Sequence, residues 1–468
     1  MYVDKFCDKS YDNILDSIKR VHFIGIGGSG MCPLAEILIS KGYEVSGSDT
    51  NDGDTLRRIK KYGIPVFMGH DAENIKGAQL IVYTAAVKSD NPELIAAKEQ
   101  GIPAIERSVM LGIVTRRFKN AVAISGTHGK TTTTGMLSQI LIGSGKEPTA
   151  IIGGTLPSIG GNSYVGDSET IVCEACEYVD SFLQITPAIA VILNIDADHL
   201  DYFETFDNVK KSFRKFINQT SQTVVVNGDD KNALECVNDT DLKVVTFGFG
   251  DNNNYRAVLI SPESTVYDTF ELYYNNELLC TVTLSVPGKH NVYNALAAAA
   301  AAHCLNVSPQ DIADNLQRFM GVHRRFEILG EYGGVTIADD FAHHPTEIKA
   351  ALTAAVNMGF NNVWNIFQPH TFSRTYMLLD DFAQALSISD KSIILEILPV
   401  RETNTYNIYN TDLGNKIPGS VCINTFEEAA DYVCKNAKEG DLILTMGGGN
   451  VYMCANMIRN TLAEMYGE

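Results

Sequence analysis

Ser125-Gly126-Thr127-His128-Gly129-Lys130-Thr131-Thr132-Thr133-Thr134 follows an apolar run, Ala121 to Ile124, and opens a segment with helical patterning, Met136 to Ile142. Strand, Gly-rich turn, Lys-Thr and helix in that order read as a phosphate cradle. The backbone N–H groups of a tight turn and a helix N-terminus point at anionic oxygens, and glycines let the backbone approach them. In such a cradle Lys130 reaches the terminal phosphates and the Thr131 hydroxyl holds Mg²⁺. The full P-loop pattern asks for a glycine at position 124, which is Ile124 here, so the strict pattern is not met. A plain Gly turn before a Thr-capped helix is the competing reading; the strand before and the helix after favour the phosphate.

Upstream, Val21 to Ile24 reads as a strand that runs into Gly25-Ile-Gly27-Gly28-Ser29-Gly30 and a helical pattern through Met31, Leu34, Ile37 and Leu38. A second strand, Tyr43 to Ser46, ends near Asp49, where a dinucleotide-binding fingerprint puts an acid for a ribose hydroxyl. The same turn grips the diphosphate of any nucleotide-linked ligand, so it is not specific for NAD. Further strand and helix signals follow at Ile59 to Gly63, Val66 to His70, Leu80 to Thr84, Pro92 to Gln100 and Ile105. They make a first α/β unit ending near Glu106-Arg107.

Downstream, a connecting helix (Val109 to Phe118) leads into the phosphate turn. Apolar, β-branched runs at Thr170 to Cys173, Ile189 to Leu193 and Thr223 to Val226 alternate with helices such as Asn208 to Ile217, the pattern of a parallel sheet covered on both faces. From Tyr255 to Val286 the alternation becomes hairpin-like, with Asn275-Asn276 as a turn, and predicts a small antiparallel patch. An Ala-rich helix, Asn291 to His303, follows. After Arg324-Arg325 the rhythm restarts: strands at Val335 to Ala338, Val363 to Phe367, Ser392 to Leu395, Val421 to Asn424 and Asp441 to Met446, with helices at Thr346 to Met358, Tyr376 to Leu386, Phe426 to Asn436 and Val451 to Met465. The expected organisation is α/β in three domains, 1–106, 107–322 and 323–468. Two are Rossmann-like, and the middle one is P-loop ATPase-like with a parallel sheet and the antiparallel patch.

A 468-residue chain with 45% hydrophobic and 20% charged residues and no low-complexity tract reads as a folded, enzyme-sized protein. Its formal net charge of −19 argues against a nucleic-acid or anionic-membrane binder, so anionic ligands must be met by local pockets. The opening Met-Tyr-Val-Asp-Lys-Phe-Cys-Asp has no basic segment before an apolar one, and no apolar run of about 18 residues occurs, which predicts a cytoplasmic protein with no membrane partner. The ten cysteines are scattered through apolar segments, as buried thiols are; Cys173 and Cys176 are spaced for a metal but have no second pair, so a structural role is favoured.

Glu174 follows one predicted strand of the middle unit and His199, in Asn194-Ile-Asp196-Ala-Asp198-His199, follows another. Strand ends of a parallel sheet cluster at one edge, so Thr131, Glu174 and His199 are candidates to surround Mg²⁺ beside a nucleotide. In the last unit Asp339-Asp340-Phe341-Ala342-His343-His344 sits at a strand end and offers more functional groups than a helix cap needs. Arg324-Arg325 marks a unit boundary, a good place from which to meet phosphate, and Arg374 follows Phe367-Gln368-Pro369-His370. Thr445-Met-Gly447-Gly448-Gly449-Asn450 reads as tight substrate-side backbone.

Taken together these residues resemble the Mur ligases, the ATP-dependent amide-forming enzymes that build the peptide of bacterial peptidoglycan. The matching pieces are His22-Phe-Ile-Gly-Ile-Gly-Gly-Ser-Gly-Met31, Val45-Ser-Gly-Ser-Asp49, Asp90-Asn-Pro-Glu93, Gly126-Thr-His-Gly-Lys-Thr-Thr132, Asn194-Ile-Asp-Ala-Asp-His199, Pro287-Gly-Lys-His-Asn-Val-Tyr-Asn294, Asp340-Phe-Ala-His-His-Pro-Thr-Glu347 and Phe367-Gln-Pro-His370, in family order along nearly the whole chain. The resemblance implies a UDP-sugar domain, a central ATPase domain and a C-terminal domain that closes over the site and takes the amino acid. The reaction it implies joins L-alanine to the lactyl carboxylate of UDP-N-acetylmuramate through an acyl phosphate; attachment of a recycled murein tripeptide to the same sugar is the nearest alternative, and an NAD-dependent oxidoreductase a more distant one. It implies ATP and Mg²⁺, small-molecule partners, no nucleic acid, and a monomer or homodimer.

By the same resemblance Gly126, Thr127, His128, Gly129, Lys130, Thr131, Thr132, His290, Asn291, Asn294, Arg325 and Asp340 would serve ATP, with Thr131, Glu174 and His199 on the metal. Gly25, Gly27, Gly28, Ser29, Asp49, His70, Thr84 and Arg107 would hold the UDP-sugar, and His344, His370 and Arg374 would face the amino acid. Lys130, His199, Arg325 and His344 would carry the chemistry. The family's Glu-Ala-Asp-Glu-Ser-Asp is replaced here by Glu174-Ala-Cys176-Glu177-Tyr178-Val179-Asp180, which keeps Glu174; Thr371-Phe-Ser373 and Gly448-Gly-Asn450 also depart from the family's pattern.

Overall fold

A computed structural model describes residues 7, 9–262, 265–400 and 402–467 of the chain. Alternating apolar strands and amphipathic helices build three sheets. The first holds β1 (Arg20–Ile24), β2 (Glu44–Asp49), β3 (Val66–Met68), β4 (Leu80–Tyr83) and β5 (Ala104–Glu106) in the order β3-β2-β1-β4-β5, every pair parallel. Strand order reverses between β1 and β4. Ligands of open parallel sheets bind at such a switch point, and β1 ends there in the Gly25–Gly30 turn.

The second sheet holds β6 (Asn120–Ser125), β7 (Thr149–Leu156), β8 (Gly161–Tyr164), β9 (Thr170–Glu174), β10 (Ile189–Ile192), β11 (Thr223–Asn227), β12 (Lys243–Gly248), β13 (Tyr255–Leu259), β14 (Thr269–Tyr274) and β15 (Glu277–Thr283). Their order is β15-β14-β13-β12-β11-β10-β6-β9-β7-β8. β6 therefore lies between β10 and β9, parallel to both, and the three turns that follow these strands emerge side by side. Asn275 and Asn276 both take positive φ, 49° and 69°, the geometry of a two-residue hairpin turn.

The third sheet holds β16 (Glu327–Tyr332), β17 (Val335–Asp340), β18 (Val363–Phe367), β19 (Lys391–Ile394), β20 (Val421–Cys422) and β21 (Leu442–Met446), ordered β16-β17-β21-β18-β19-β20. Its central strands are apolar on both faces, as strands covered twice must be. In β18, Val363 and Phe367 pack into one core, whereas Trp364 and Ile366 pack into the other.

Three elements depart from the expected pattern. β7 and β8 form an antiparallel hairpin at one edge of the second sheet, in a stretch with four glycines, Gly153, Gly154, Gly160 and Gly161, for which no strand is expected. β16 adds an antiparallel strand to the third sheet; its charged residues mask the alternation. The helix expected over Tyr376 to Leu386 is two helices, Phe372–Met377 and Leu379–Leu386, which meet at Leu378.

By packing, the chain groups into two compact units: Met1–Ala257 with Leu272–Cys280 and Tyr293–Asn315, and Val258–Glu271 with Thr281–Val292 and Leu316–Glu468. The first sheet and most of the second fall in one unit because they share an apolar core. Phe23, Met31 and Leu34 from the first belong to the same buried cluster as Ile171, Phe182 and Phe213 from the second, with Met110, Leu111 and Val114 of the helix Arg107–Thr115 among them.

That connecting helix owes its fit to Gly112. A Cβ at Gly112 would lie 2.2 Å from the carbonyl oxygen of Gln184, which also accepts a hydrogen bond from Arg116 Nη1 at 2.5 Å. Replacing a helical glycine by alanine ordinarily stabilises by about 0.5–1 kcal/mol, whereas overpacking costs about 1–3 kcal/mol; the contact is to backbone, so the second effect wins. Gly112→Ala is expected to lower unfolding free energy by about 1–2 kcal/mol in urea titration, and a neutral or stabilised variant would contradict this packing.

Behind the first turn lies a buried polar network. Ser48 accepts the amides of Gly25 and Ile26 on its carbonyl and donates its hydroxyl to Glu93 Oε2 at 2.7 Å. Glu93 is fully buried and also receives Asn74 Nδ2 at 2.7 Å, with His22 Nε2 at 3.4 Å and His70 Nδ1 at 3.5 Å. Burial raises the Glu93 carboxyl, but the hydrogen bonds from His22, Asn74 and Ser48 outweigh it and leave the group below its ordinary value of 4.5. A carboxyl lowered in the folded state stabilises above its unfolded value and loses that contribution as pH falls through the folded one. Glu93→Gln is therefore expected to cost about 2 kcal/mol at pH 7. The difference from the unmodified protein should shrink below pH 4.5, measured by denaturant midpoints across pH; a constant difference would refute the role given to the carboxylate.

Candidate active site

The turn after β6 is shaped by its glycines. Gly126 has φ 141° and Gly129 φ 86°; a side chain at either would strike the neighbouring turn or helix, since a Cβ on Gly126 would lie 2.9 Å from Leu193 Cβ and one on Gly129 2.5 Å from Asn294 Oδ1. Gly129 caps the helix Lys130–Gly143, so Lys130, Thr131 and Thr132 form its first turn. The loop after β10 clamps the turn: Thr127 N–H donates to the Asn194 carbonyl at 3.1 Å, His128 N–H to Asn194 Oδ1 at 2.8 Å, and Asn194 Nδ2 to the His128 carbonyl at 3.0 Å. Asp196 N–H donates to Thr127 Oγ1 at 2.9 Å, and its carboxylate lies 3.2 Å from His128 Nε2. Asn294, on the helix Lys289–Cys304, accepts Thr133 Oγ1 at 3.2 Å and so lies against the turn.

Lys130 is held by an acid that the sequence reading did not single out. Its Nζ donates to both oxygens of Glu177, at 2.9 and 3.1 Å, and to the carbonyls of Gly126 at 2.5 Å and Thr127 at 3.0 Å. Burial works against the charged ammonium, but the Glu177 carboxylate more than offsets it, so the pKa is raised and Lys130 stays cationic. The segment carrying Glu177 is strained. Val179 and Asp180 take φ 56° and 58° in succession, a conformation that a β-branched residue rarely adopts. Asp180 is buried and fastened by Tyr202 Oη at 2.9 Å and by Ser212 Oγ. Tyr178 sets its ring 4.6 Å from that of His199, itself at φ 54°.

Glu174 ends β9 beside the phosphate turn, and its Oε1 accepts Gly153 N–H, from β7, at 2.5 Å. Glu174 thus ends one strand, while Thr131 and His199 sit at the starts of the helices that follow the neighbouring strands β6 and β10. A hydroxyl and a carboxylate are the hard oxygen donors that Mg²⁺ takes, and the imidazole is an additional donor in the segment after β10.

The first-sheet turn faces the same region. Gly25 has φ 82°, and a Cβ there would lie 2.9 Å from Thr84 Cγ2. Gly27 N–H donates to Asp49 Oδ2 at 2.8 Å while Asp49 Oδ1 accepts Asn51 N–H at 3.0 Å, so the carboxylate expected at a ribose holds the turn itself. Among the described residues the amides of Ser29 and Gly30 donate to no acceptor. Gly28, Ser29, Gly30, Thr84 and Arg107 line one wall of a cavity of about 320 Å³ whose other wall carries Gly153, Glu174 and Cys176. Burial pushes the Cys176 thiol up to about 11, so it enters as a neutral group. His70 is on the Ser48–Glu93 network, 3.2 Å from Ser48 Oγ.

In the other unit, neighbouring strand ends of the third sheet gather another set. Asp340, ending β17, accepts Phe326 N–H at 2.7 Å and Ala342 N–H at 2.6 Å. Burial pushes its carboxyl up to about 6 against the pull of Arg325. Both tandem arginines lie over the Phe341 ring, Arg324 at 4.8 Å and Arg325 at 5.3 Å, and Arg324 is also tied to Asp339 at 2.9 Å and to the carbonyls of Gly447 and Gly449 at 2.9 and 2.7 Å. His344 caps the helix Pro345–Asn357, its Nδ1 accepting Thr346 N–H at 3.3 Å. His370, after β18, stacks edge-on to His343 at 5.6 Å, and a Cβ on Gly448 would lie 3.1 Å from it. Arg374 is in the short helix Phe372–Met377, and Asn291 and His290 open the helix Lys289–Cys304, Asn291 donating to the Pro287 carbonyl at 2.7 Å.

Comparison with known proteins covers the chain from end to end. Residues 124–302 match the Mur ligase middle domain, 20–119 the Mur ligase family catalytic domain, and 324–449 the Mur ligase glutamate ligase domain. The UDP-N-acetylmuramate–L-alanine ligase of Acetivibrio thermocellus is 45% identical over 454 residues, 95% of this chain and 97% of that one. The ligase of the same name from Caldanaerobacter subterraneus is 44% identical over 444 residues, 94% and 96% of the two chains. Among solved structures, UDP-N-acetylmuramate–alanine ligase from Thermotoga maritima superposes with a TM-score of 0.81 at 27% identity, covering 96% of this chain and 100% of that one. A murein peptide ligase from Psychrobacter arcticus shares the fold with a TM-score of 0.73 at 24% identity, over 95% and 99% of the chains. With three α/β sheets in the expected order and relatives matching along almost their whole length, the chain belongs to the Mur ligase family.

Proposed function

We infer that this chain is an ATP-dependent amide ligase that joins L-alanine to the lactyl carboxylate of UDP-N-acetylmuramate in peptidoglycan precursor synthesis. The observation that carries the reading is the single cavity walled on one side by the Gly28–Gly30 turn and on the other by Glu174, which ends the strand beside the Lys130 turn. The diphosphate cradle proposed on one wall thus faces the end of the strand beside the proposed phosphoryl-transfer turn, and relatives named for this reaction match over 94–96% of the chain.

A carboxylate is a poor acyl donor in water, so the proposed chemistry activates it first. One lactyl oxygen attacks the γ-phosphoryl group of ATP, ADP leaves, and an acyl phosphate results. The amine of L-alanine then attacks the acyl carbon; phosphate leaves with the lactyl oxygen, the amine loses a proton, and the amide remains. Lys130 exchanges Glu177 for phosphate oxygens, and the amides of the Gly126–Thr132 turn hold the rest of the triphosphate. Thr131, Glu174 and His199 are the proposed ligands for Mg²⁺, which when bound would neutralise charge on the transferred group. Arg325 is proposed for the γ-phosphate, His290, Asn291 and Asn294 for adenine, Asp340 for the ribose, and His344, His370 and Arg374 for the acyl and amino-acid groups. Gly25, Gly27, Gly28, Ser29, Asp49, His70, Thr84 and Arg107, with Gly30 beside them, are proposed for the sugar nucleotide. The proposed domain limits are 1–106, 107–322 and 323–468. No described helix is long and apolar enough to cross a membrane, and a cytoplasmic setting as monomer or homodimer, without nucleic acid, goes with this reading.

ADP release is expected to require UDP-N-acetylmuramate and L-alanine together, followed by a coupled enzyme assay. Stimulation by murein tripeptide but not by alanine would transfer the assignment to peptide attachment. Lys130→Ala is expected to lower kcat by at least about a hundredfold with the thermal transition kept, and a variant that retained turnover would remove Lys130 from the chemistry.

A further inference from the structure

The hairpin of β7 and β8 touches both walls of the cavity. Gly153 N–H, on β7, donates to the Glu174 carboxylate at 2.5 Å, and Asn162, on β8, donates from Nδ2 to the carbonyl of Ser29 at 2.7 Å. Asn162 is only 5% exposed, and its amide has one possible orientation. Its Oδ1 accepts Arg58 Nη2 at 2.7 Å; a guanidinium can only donate, so the amide nitrogen must face Ser29. Arg58 is fixed in turn by Glu36 Oε1 at 3.0 Å and Cys32 Sγ at 3.0 Å, both on the helix that the Gly turn opens. Gly161 makes room for it, since a Cβ there would lie 2.4 Å from Arg58 Nη1.

The carbonyl of Ser29 and the amide of Gly30 belong to one trans peptide unit, in which C=O and N–H point in opposite directions. Holding the carbonyl therefore sets the direction of the Gly30 N–H, one of the two amides of this turn with no acceptor among the described residues, at a glycine that lines the cavity. We propose that Asn162 is a positioning residue for the sugar-nucleotide site, aiming the Gly30 amide at a diphosphate oxygen from a strand of the ATP-binding sheet. The same hairpin then fixes the diphosphate cradle and Glu174 against each other. This inference rests on the UDP-sugar reading of the cavity.

Asn162→Asp separates positioning from plain structure. It keeps the size of the side chain and the Arg58 partner, so the fold is retained, but it replaces the N–H donor by an oxygen that repels the Ser29 carbonyl. Calorimetric titration of UDP-N-acetylmuramate into the full chain without ATP should show binding weakened about tenfold. Steady-state kinetics should show KM for UDP-N-acetylmuramate raised by the same factor, with KM for ATP, kcat at saturation and the thermal midpoint little changed. Asn162→Ala should act in the same direction. If the unmodified chain binds UDP-N-acetylmuramate and Asn162→Asp binds it within twofold, or if both KM values and kcat deteriorate together, the positioning role is overturned while the substrate reading stands. If the unmodified chain does not bind UDP-N-acetylmuramate at all, the substrate reading fails and this role falls with it.

Discussion

Two polyanionic ligands have to be gripped by a chain whose net charge is −19, and backbone amides are the means. An amide at the end of a parallel strand or the start of a helix offers partial positive charge without adding a cation to the surface. On the proposed reading both glycine turns use it, one after β1 and one after β6, and in each a side chain in place of a key glycine would collide with a neighbour. Side-chain cations are then added sparingly. Lys130 is the clearest case: it sits in its own turn's carbonyls and on Glu177, charged despite burial. The ammonium is held beside the helix N-terminus by groups that it can exchange for phosphate oxygens of the same charge sign.

Most of this frame is legible in the chain because it depends on local rules. The Gly25–Gly30 and Gly126–Thr131 turns declare themselves by composition at strand-to-helix junctions, and the apolar runs that became β6, β9, β10 and β18 need no partner to be recognised. The β7–β8 hairpin is not legible in that way. Gly153, Gly154, Gly160 and Gly161 argue for loop locally, and only the pairing of Ala150 with Tyr164 and of Ala150 with Val172 across the sheet makes strand of all but Gly160, which ends the connecting turn. The packing of the first sheet against the second escapes for a related reason. A strand-and-helix rhythm marks where one sheet stops, but the sharing of one core by two sheets is a packing outcome, visible only once Met110 and Leu111 are seen among residues from both.

Side-chain partners were the least readable layer. Asp49 stands at the spacing of a ribose ligand, and the spacing does not show that its two oxygens also accept the Gly27 and Asn51 amides. Glu177 has no motif of its own, and its bond to Lys130 depends on the consecutive left-handed residues Val179 and Asp180. Strain of that kind persists only where the surroundings over-determine it, here through the fastening of Asp180 by Tyr202 and Ser212. Arg324 and Arg325 look equivalent in sequence. Both lie over Phe341, and only the structure shows that Arg324 is the one that ties down the Gly447–Gly449 turn.

What the cavity must accomplish, on this view, is the transfer of a phosphoryl group to a carboxylate. Isotope transfer reads that step directly. UDP-N-acetylmuramate carrying ¹⁸O in its lactyl carboxylate should, on turnover with ATP and L-alanine, deliver labelled oxygen to the released phosphate, one atom per amide formed, as read by mass spectrometry. Phosphate wholly free of the label would mean that the carboxylate never received a phosphoryl group, and the Lys130 turn would have to serve some other chemistry.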